Sequence, residues 1–326
     1  MNKFLSLFNI VNIKLFILSF KFFFTDFRTS ISIFWHTIKS INSVKEYSKK
    51  GHNVFCLGQL RKDKKSDTLF ILGSGPSINE INSFQWDYIK DNDSWGFNFW
   101  LCHNFIPDIF FGQSHVDIEE DQRFNFEMDI LMNQMLIDKK HLYNKVKFYL
   151  RGDNVNDYKF QKSQFGETIL NSEFKHYFMS ELIIRSKNKI RPIKLMNKIY
   201  DMGFFSGKFN YHPIPKFGNT TTELISLALI AGYKNIVLCG IDMNDGGHFY
   251  DEDIYLKKYV FLKKLKAWSN KIKTHPHADR RKLKYTSKDV IKDLNRFSKE
   301  KFDAEIFVSS STSSLYPEIK KYEFED

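Results

Sequence analysis

Three stretches of the chain carry groups able to act on an anionic, activated substrate. The first is Gly73-Ser74-Gly75-Pro76-Ser77. Its glycines let a ligand approach the backbone closely, Pro76 fixes the chain ahead of a helix, and Ser77 is placed to cap that helix. A helix N-terminus offers unpaired N–H groups and a partial positive charge, which suits phosphate, although such turns also serve as plain strand-to-helix punctuation. The second stretch is Gly240-Ile241-Asp242-Met243-Asn244-Asp245-Gly246-Gly247-His248-Phe249-Tyr250, which mixes polar and aromatic groups after an apolar run. Asp242 and Asp245 have no third carboxylate at ligand spacing, so no metal site is expected there. The third is Lys273-Thr274-His275-Pro276-His277. Two histidines this close suit general acid–base work or metal binding, and a solvated basic loop is the other reading. Cys56, Cys102 and Cys239 fit no zinc spacing and suggest a reduced, cytoplasmic protein.

These groups need a frame to hold them. Thr68-Leu69-Phe70-Ile71-Leu72-Gly73 reads as a buried strand, and Ser77-Ile78-Asn79-Glu80 as a capping box that opens a helix. Further apolar runs lie at 95–99, 108–111 and 146–150. After Asn219, Thr220-Thr221-Thr222-Glu223 matches a second capping box, and the apolar helix from Leu224 is stopped at Gly232. A strand is expected over 236–240, a helix over 287–301 and a strand over 304–308. This alternation predicts an α/β fold: a Rossmann-like open, mostly parallel sheet with helices on both faces. Ligands of such sheets bind outside the carboxyl ends of the strands, where the first two stretches fall.

The 326 residues, 42% of them hydrophobic, suffice for one large core or two small ones. The net charge of +11 points to an anionic partner or to codon bias, and no nucleic-acid-binding motif accompanies it. Residues 1–45 are expected to form an amphipathic, membrane-associating helical segment. Lys14, Lys21 and Arg28 recur every seven residues, with Lys39 on the same side, opposite a broad Phe/Ile/Leu face. Such a helix lies in the interface of an anionic membrane, and a core-packing helix is the other reading. Residues 46–67, with the charged run Arg61–Asp67, read as a linker, and 68–326 as the main domain with a lid at about 244–285.

Taken together, Gly73–Ser77 and the stretch Leu224–Tyr250, with Ala231-Gly232-Tyr233-Lys234-Asn235-Ile236-Val237-Leu238-Cys239-Gly240-Ile241-Asp242 at its heart, resemble the bacterial sialyltransferases of glycosyltransferase family forty-two over roughly residues 68–310. The resemblance implies inverting, metal-independent transfer from a CMP-sugar donor to a glycan or glycolipid acceptor, with no further cofactor, at the cytoplasmic face of the inner membrane or in the cytoplasm. It further implies a CMP-binding set of Gly73, Ser74, Gly75, Pro76 and Ser77 with Asn98 nearby. Donor contacts are implied from Asn219, Thr220 and Thr221 and from Gly240, Asp242 and Asn244. Tyr250 matches a tyrosine that hydrogen-bonds the leaving phosphate. Three positions depart from the family pattern: Asn244 replaces a second tyrosine, Gly112 with neighbouring Gln113 replaces an asparagine, and Tyr285 stands where the catalytic histidine belongs. His277, then His275, is the expected base if the lid carries an insertion. Two other readings remain open from sequence: a pterin-type diphosphokinase using ATP and Mg²⁺, and a membrane-docked binding module without catalysis.

Overall fold

The computed structural model describes residues 10–23, 27–112, 122–151, 163–184, 191–206, 212–244, 247–271 and 284–324. Its strands are β1 (Thr68–Leu72), β2 (Asp93–Phe97), β3 (Ile109–Gly112), β4 (Lys147–Arg151), β5 (Lys175–Met179), β6 (Glu181–Ile183), β7 (Ile214–Lys216), β8 (Asn235–Cys239) and β9 (Glu305–Val308). The helices are α1 (Ile10–Phe23), α2 (Phe27–Lys49), α3 (Leu57–Lys62), α4 (Ser83–Asp91), α5 (Gln122–Asp138) and α6 (Lys140–Tyr143). They continue with α7 (Gln164–Asn171), α8 (Pro192–Asp201), α9 (Thr220–Ala231), α10 (Asp253–Lys258), α11 (Phe261–Lys271) and α12 (Ser287–Phe302).

Every residue of β1 is buried. Alternate side chains leave a strand on opposite faces, so a continuous apolar run requires cover on both. Leu69 and Ile71 pack into a cluster with α1, α2, α3, α8, α9 and α12. Phe70 and Leu72 enter a second cluster with α4, α5, α7, α10 and α11. Between these layers lies a 7-stranded parallel sheet of order β5-β4-β3-β2-β1-β8-β9. The sheet is therefore the Rossmann-like open parallel sheet expected from the sequence. β6 and β7 form a separate parallel pair.

From β1 the chain winds outward through β2 to β5, then returns to the other side of β1 with β8 and β9. The strand order thus reverses between β1 and β8, which are in register with Leu72 level with Cys239. The carboxyl ends of these two strands define the topological switch point, where open α/β sheets hold their ligands.

Both predicted capping boxes are displaced. Pro76–Glu80 is a single 3-10 turn without a side-chain cap. The helix proper, α4, starts later, where Asn82 and Gln85 form a reciprocal capping box. At α9 the cap is Asn219, whose Oδ1 accepts the Thr222 N–H at 3.0 Å. Glu223 is buried in an ion cluster instead of turning back onto the cap. The predicted stop holds, because Gly232 takes the left-handed conformation with φ +88.

The outward basic stripe expected along residues 1–45 does not include Lys14. Its ammonium donates to the Met202 carbonyl at 3.1 Å, just past α8. Lys39 is exposed, and the side chains of Lys21 and Arg28 lie outside the described residues. Leu15, Leu18, Ile33 and Ile41 join the core. Within 46–67, expected as a linker, the Phe55 N–H donates to the Phe178 carbonyl, α3 buries Leu57 and Leu60, and Arg61 donates to the Ile230 carbonyl at 2.6 Å.

Candidate functional site

The switch point is held by backbone bonds from one strand end to the other. The Gly73 N–H donates to the Cys239 carbonyl at 2.7 Å, and the Gly75 N–H to the Gly240 carbonyl at 2.7 Å. This approach demands glycine. A Cβ on Gly73 would lie 2.6 Å from the Gly240 oxygen, and one on Gly75 would strike the Asp242 carboxylate. Gly240 has φ +62, and a Cβ there would lie 2.5 Å from Ile78 Cγ1.

The same geometry changes what the turn can offer. Ser77 donates its N–H to Asp242 Oδ2 at 3.1 Å and its hydroxyl to Oδ1 at 2.5 Å. Ser77, Gly73 and Gly75 therefore hold the protein together and do not present these donors to a phosphate. Among the described residues no partner takes the Ser74 N–H or its hydroxyl. Ser74 is half-buried at the edge of the turn, and its carbonyl accepts the Phe249 N–H at 3.0 Å.

That bond draws the Phe249–Asp251 3-10 turn over the switch point. Asp251 caps the turn by accepting the His248 N–H at 2.8 Å. Tyr250 is 3% exposed. Its ring stacks on His248 with centroids 4.7 Å apart and meets Phe99 edge-on at 5.5 Å. Burial raises its phenol well above the ordinary value, so the hydroxyl stays protonated and can act only as a donor or neutral acceptor. No described hydrogen bond occupies that hydroxyl. Burial also lowers the His248 imidazole, which keeps the stacked partner neutral.

Asn98 follows β2 directly, with φ 54, a left-handed conformation that asparagine tolerates better than most residues. It opens the 3-10 turn Asn98–Cys102. The buried Lys139 ammonium fixes the far end of this turn by donating to the carbonyls of Leu101, Cys102 and His103 at 2.7, 2.9 and 2.6 Å. Burial lowers this lysine to about 8.

On the other side of β8, Asn219 uses both ends of its amide. While Oδ1 caps α9, Nδ2 donates to Ser287 Oγ at 2.6 Å and so ties together the N-termini of α9 and α12. Thr220 and Thr221 form the first turn of α9. Tyr285, two residues before Ser287, lines a cavity of about 720 Å³ with Arg191, Lys284 and the Asp289, Lys292 and Arg296 side chains of α12. Met243 is left-handed with φ 52, and Asn244 Nδ2 donates to the Thr312 carbonyl at 3.3 Å. Gln113, His275 and His277 lie outside the described residues.

Two features of this edge escaped the sequence reading. One is the hydroxyl-rich loop Ser309–Ser314 after β9. The Ser314 N–H donates to the Asp242 carbonyl at 2.8 Å, Ser313 Oγ to the Ile241 carbonyl at 3.1 Å and Ser314 Oγ to the Met243 carbonyl at 2.8 Å. Ser310 and Thr312 donate to the Glu80 carboxylate. The loop thus clamps the β8 end to the Pro76–Glu80 turn. The other is a buried ion cluster beneath α9. Arg151 Nε lies 2.9 Å from Glu223 Oε2 and 3.3 Å from Glu181 Oε1, and Lys216 Nζ lies 2.8 Å from Glu181 Oε1. Burial pushes the Glu223 carboxyl up to about 8 against the pull of Arg151. A charged residue closing the buried run of β4, and a glutamate inside the apolar α9, were the available signals.

No family model matches the chain, and no curated protein does. Solved structures similar to it include the monofunctional alpha-2,3-sialyltransferase Cst-I from Campylobacter jejuni. It is 15% identical over 81% of this chain and 84% of that one, with a TM-score of 0.42. The sialyltransferase CstII from Campylobacter jejuni, solved with the substrate analogue cytidine-5'-monophosphate, is 17% identical over 78% and 84%, with a TM-score of 0.39. CstII with a trisaccharide acceptor and CMP is 16% identical over 78% and 85%, with a TM-score of 0.37.

Proposed function

We propose that this chain is an inverting, metal-independent glycosyltransferase that moves sialic acid, or a related nonulosonic acid, from its CMP-activated donor to a lipopolysaccharide or capsular glycan. It works at the cytoplasmic face of a bacterial inner membrane. The observation that carries this reading is the convergence, at the β1/β8 switch point, of the Gly73–Ser77 turn, the loop after β8 and the protonated Tyr250.

In the proposed reaction the acceptor hydroxyl attacks the anomeric carbon on the face opposite the phosphate. The bond from that carbon to the phosphate oxygen breaks, and CMP leaves with its electron pair. Tyr250 donates its O–H to the phosphate as charge develops, in a site where burial strengthens the interaction. Ser74 supplies a second donor through its N–H or hydroxyl. The acceptor proton passes to His277, since an imidazole is the side chain best suited to general-base work near neutral pH. His275 and Tyr285 are the alternatives.

Release of CMP from CMP-sialic acid, followed with a glycan acceptor, tests the proposal. Turnover is expected to survive EDTA, and His277→Ala is expected to lose roughly 10²–10⁴-fold in rate together with the acid limb of the pH profile. Loss of turnover in EDTA contradicts the metal-independent mechanism. ATP consumption with Mg²⁺, and no transfer from any CMP-sugar, makes the chain a diphosphokinase.

A further inference from the structure

The hairpin of α1 and α2 buries one face and leaves an apolar face open. On α1, Asn12, Leu15, Leu18 and Ser19 point inward, whereas Ile13, Phe16, Ile17 and Phe20 are exposed. On α2, Ile31 and Trp35 are exposed on the outside. Phe16, Phe20 and Trp35 are 59%, 54% and 63% exposed. Ring contacts join the two helices into one patch. Phe16 stacks on Phe20 with centroids 6.4 Å apart and meets Phe34 edge-on at 6.2 Å, and Phe34 meets Trp35 at 5.8 Å. A helix that is apolar all round needs apolar cover on both sides. The protein supplies it on one.

We infer that this face docks on an anionic lipid leaflet, with the ring of Trp35 and the Phe16/Phe20 pair entering the acyl boundary. The inference deepens the membrane half of the proposed function. Two further observations commit it to lipid. The first is charge: besides Lys14, which is bound to the Met202 carbonyl, residues 1–45 hold Lys3, Lys21, Arg28, Lys39 and Lys45 against one acid, Asp26. Lys39, one turn beyond Trp35, is exposed. A leaflet with anionic headgroups complements that excess, and protein-binding faces usually carry a polar rim where this stretch of α1 offers hydrocarbon. The second is packing: α1 buries Leu15 and Leu18 in the core of the protein while its opposite face is exposed, so one side of it is already covered by protein. Among the described residues no helix is long and apolar enough to cross a membrane. The hairpin therefore lies in the plane of the interface, and Lys14, bound to the Met202 carbonyl, anchors α1 to the body of the protein.

Co-flotation with vesicles tests this without any transfer assay, so its outcome is independent of the proposed chemistry. The full chain is expected to float with vesicles of phosphatidylcholine and phosphatidylglycerol and far less with phosphatidylcholine alone. Phe16→Ser/Phe20→Ser/Trp35→Ser is expected to lose at least about 10-fold in binding with an unchanged melting temperature. Should that variant fail to fold, Trp35→Ser alone carries the same expectation at smaller size. Binding at the full level by the folded variants overturns the inference. So does a switch from dimer to monomer in sedimentation with vesicle binding intact, which assigns the face to a second copy of the chain.

Discussion

Replacing Arg151 with methionine is expected to cost about 3–5 kcal/mol of stability, because it leaves two buried carboxylates to share one lysine. Arg151 closes β4, Glu181 lies in β6, Lys216 in β7 and Glu223 in the first turns of α9, so the cluster joins four elements at the edge that carries Asn219. Once Glu223 ionises, near and above pH 8, two cations face two carboxylates, and deleting one cation breaks that balance. The deficit also has a pH dependence of definite sign. Glu223, already raised by burial, binds its proton more tightly folded than unfolded. Stability therefore falls as pH rises from the ordinary carboxylate value of 4.5 toward the raised one. Without Arg151 the carboxyl rises further, so the loss is expected to be smaller at pH 5 than at pH 8. Urea unfolding at the two pH values checks both size and sign. A change under about 0.5 kcal/mol, the level of an ordinary surface substitution, removes the cluster from the account of the fold.

Tyr250→Phe carries the second large effect. The phenol ring packs against His248, Phe249 and Phe99, and phenylalanine retains those contacts. The fold is therefore expected to persist while the hydroxyl disappears. If that hydroxyl meets charge developing on the leaving phosphate, turnover falls by roughly 10²–10³-fold while donor affinity changes little. Single-turnover rates and donor binding, measured separately, distinguish this from a packing defect. A variant with unchanged turnover takes Tyr250 out of the chemistry.

The strands of the switch point were legible because burial on both faces leaves unbroken apolar runs, 69–72 in β1 and 236–239 in β8. The glycines were legible for the same steric reason that now forbids a Cβ at Gly73, Gly75 and Gly240. What local pattern could not supply was the partner of each polar group. Ser77 looks like a helix cap from its neighbours, yet Asp242, distant in sequence, takes both its donors. Glu223 completes a capping-box spacing, yet Arg151 and Lys216 claim it. Lys14 fits a basic stripe by helical phase, but the stripe ignores the Met202 carbonyl that folding brings within reach. In each case a tertiary bond outweighed a local preference worth about 1 kcal/mol. The Ser309–Ser314 loop carries no local signal, because serines and threonines in a row read as a connection and only the sheet order makes them neighbours of the β8 end.

The most direct test of the central claim is ligand binding followed by thermal unfolding of the full chain, with CMP, CMP-sialic acid and CMP-Kdo in EDTA and ATP in Mg²⁺. A CMP ligand at 100 times its dissociation constant is expected to add about 2.7 kcal/mol of stability. Ser74→Pro, which removes both the N–H and the hydroxyl that the turn still offers, is expected to abolish that gain. Stabilisation by CMP and its sugars without metal is the result predicted for a CMP-sugar site at the β1/β8 switch point. Stabilisation by ATP with Mg²⁺, and none by any cytidine nucleotide, would contradict it.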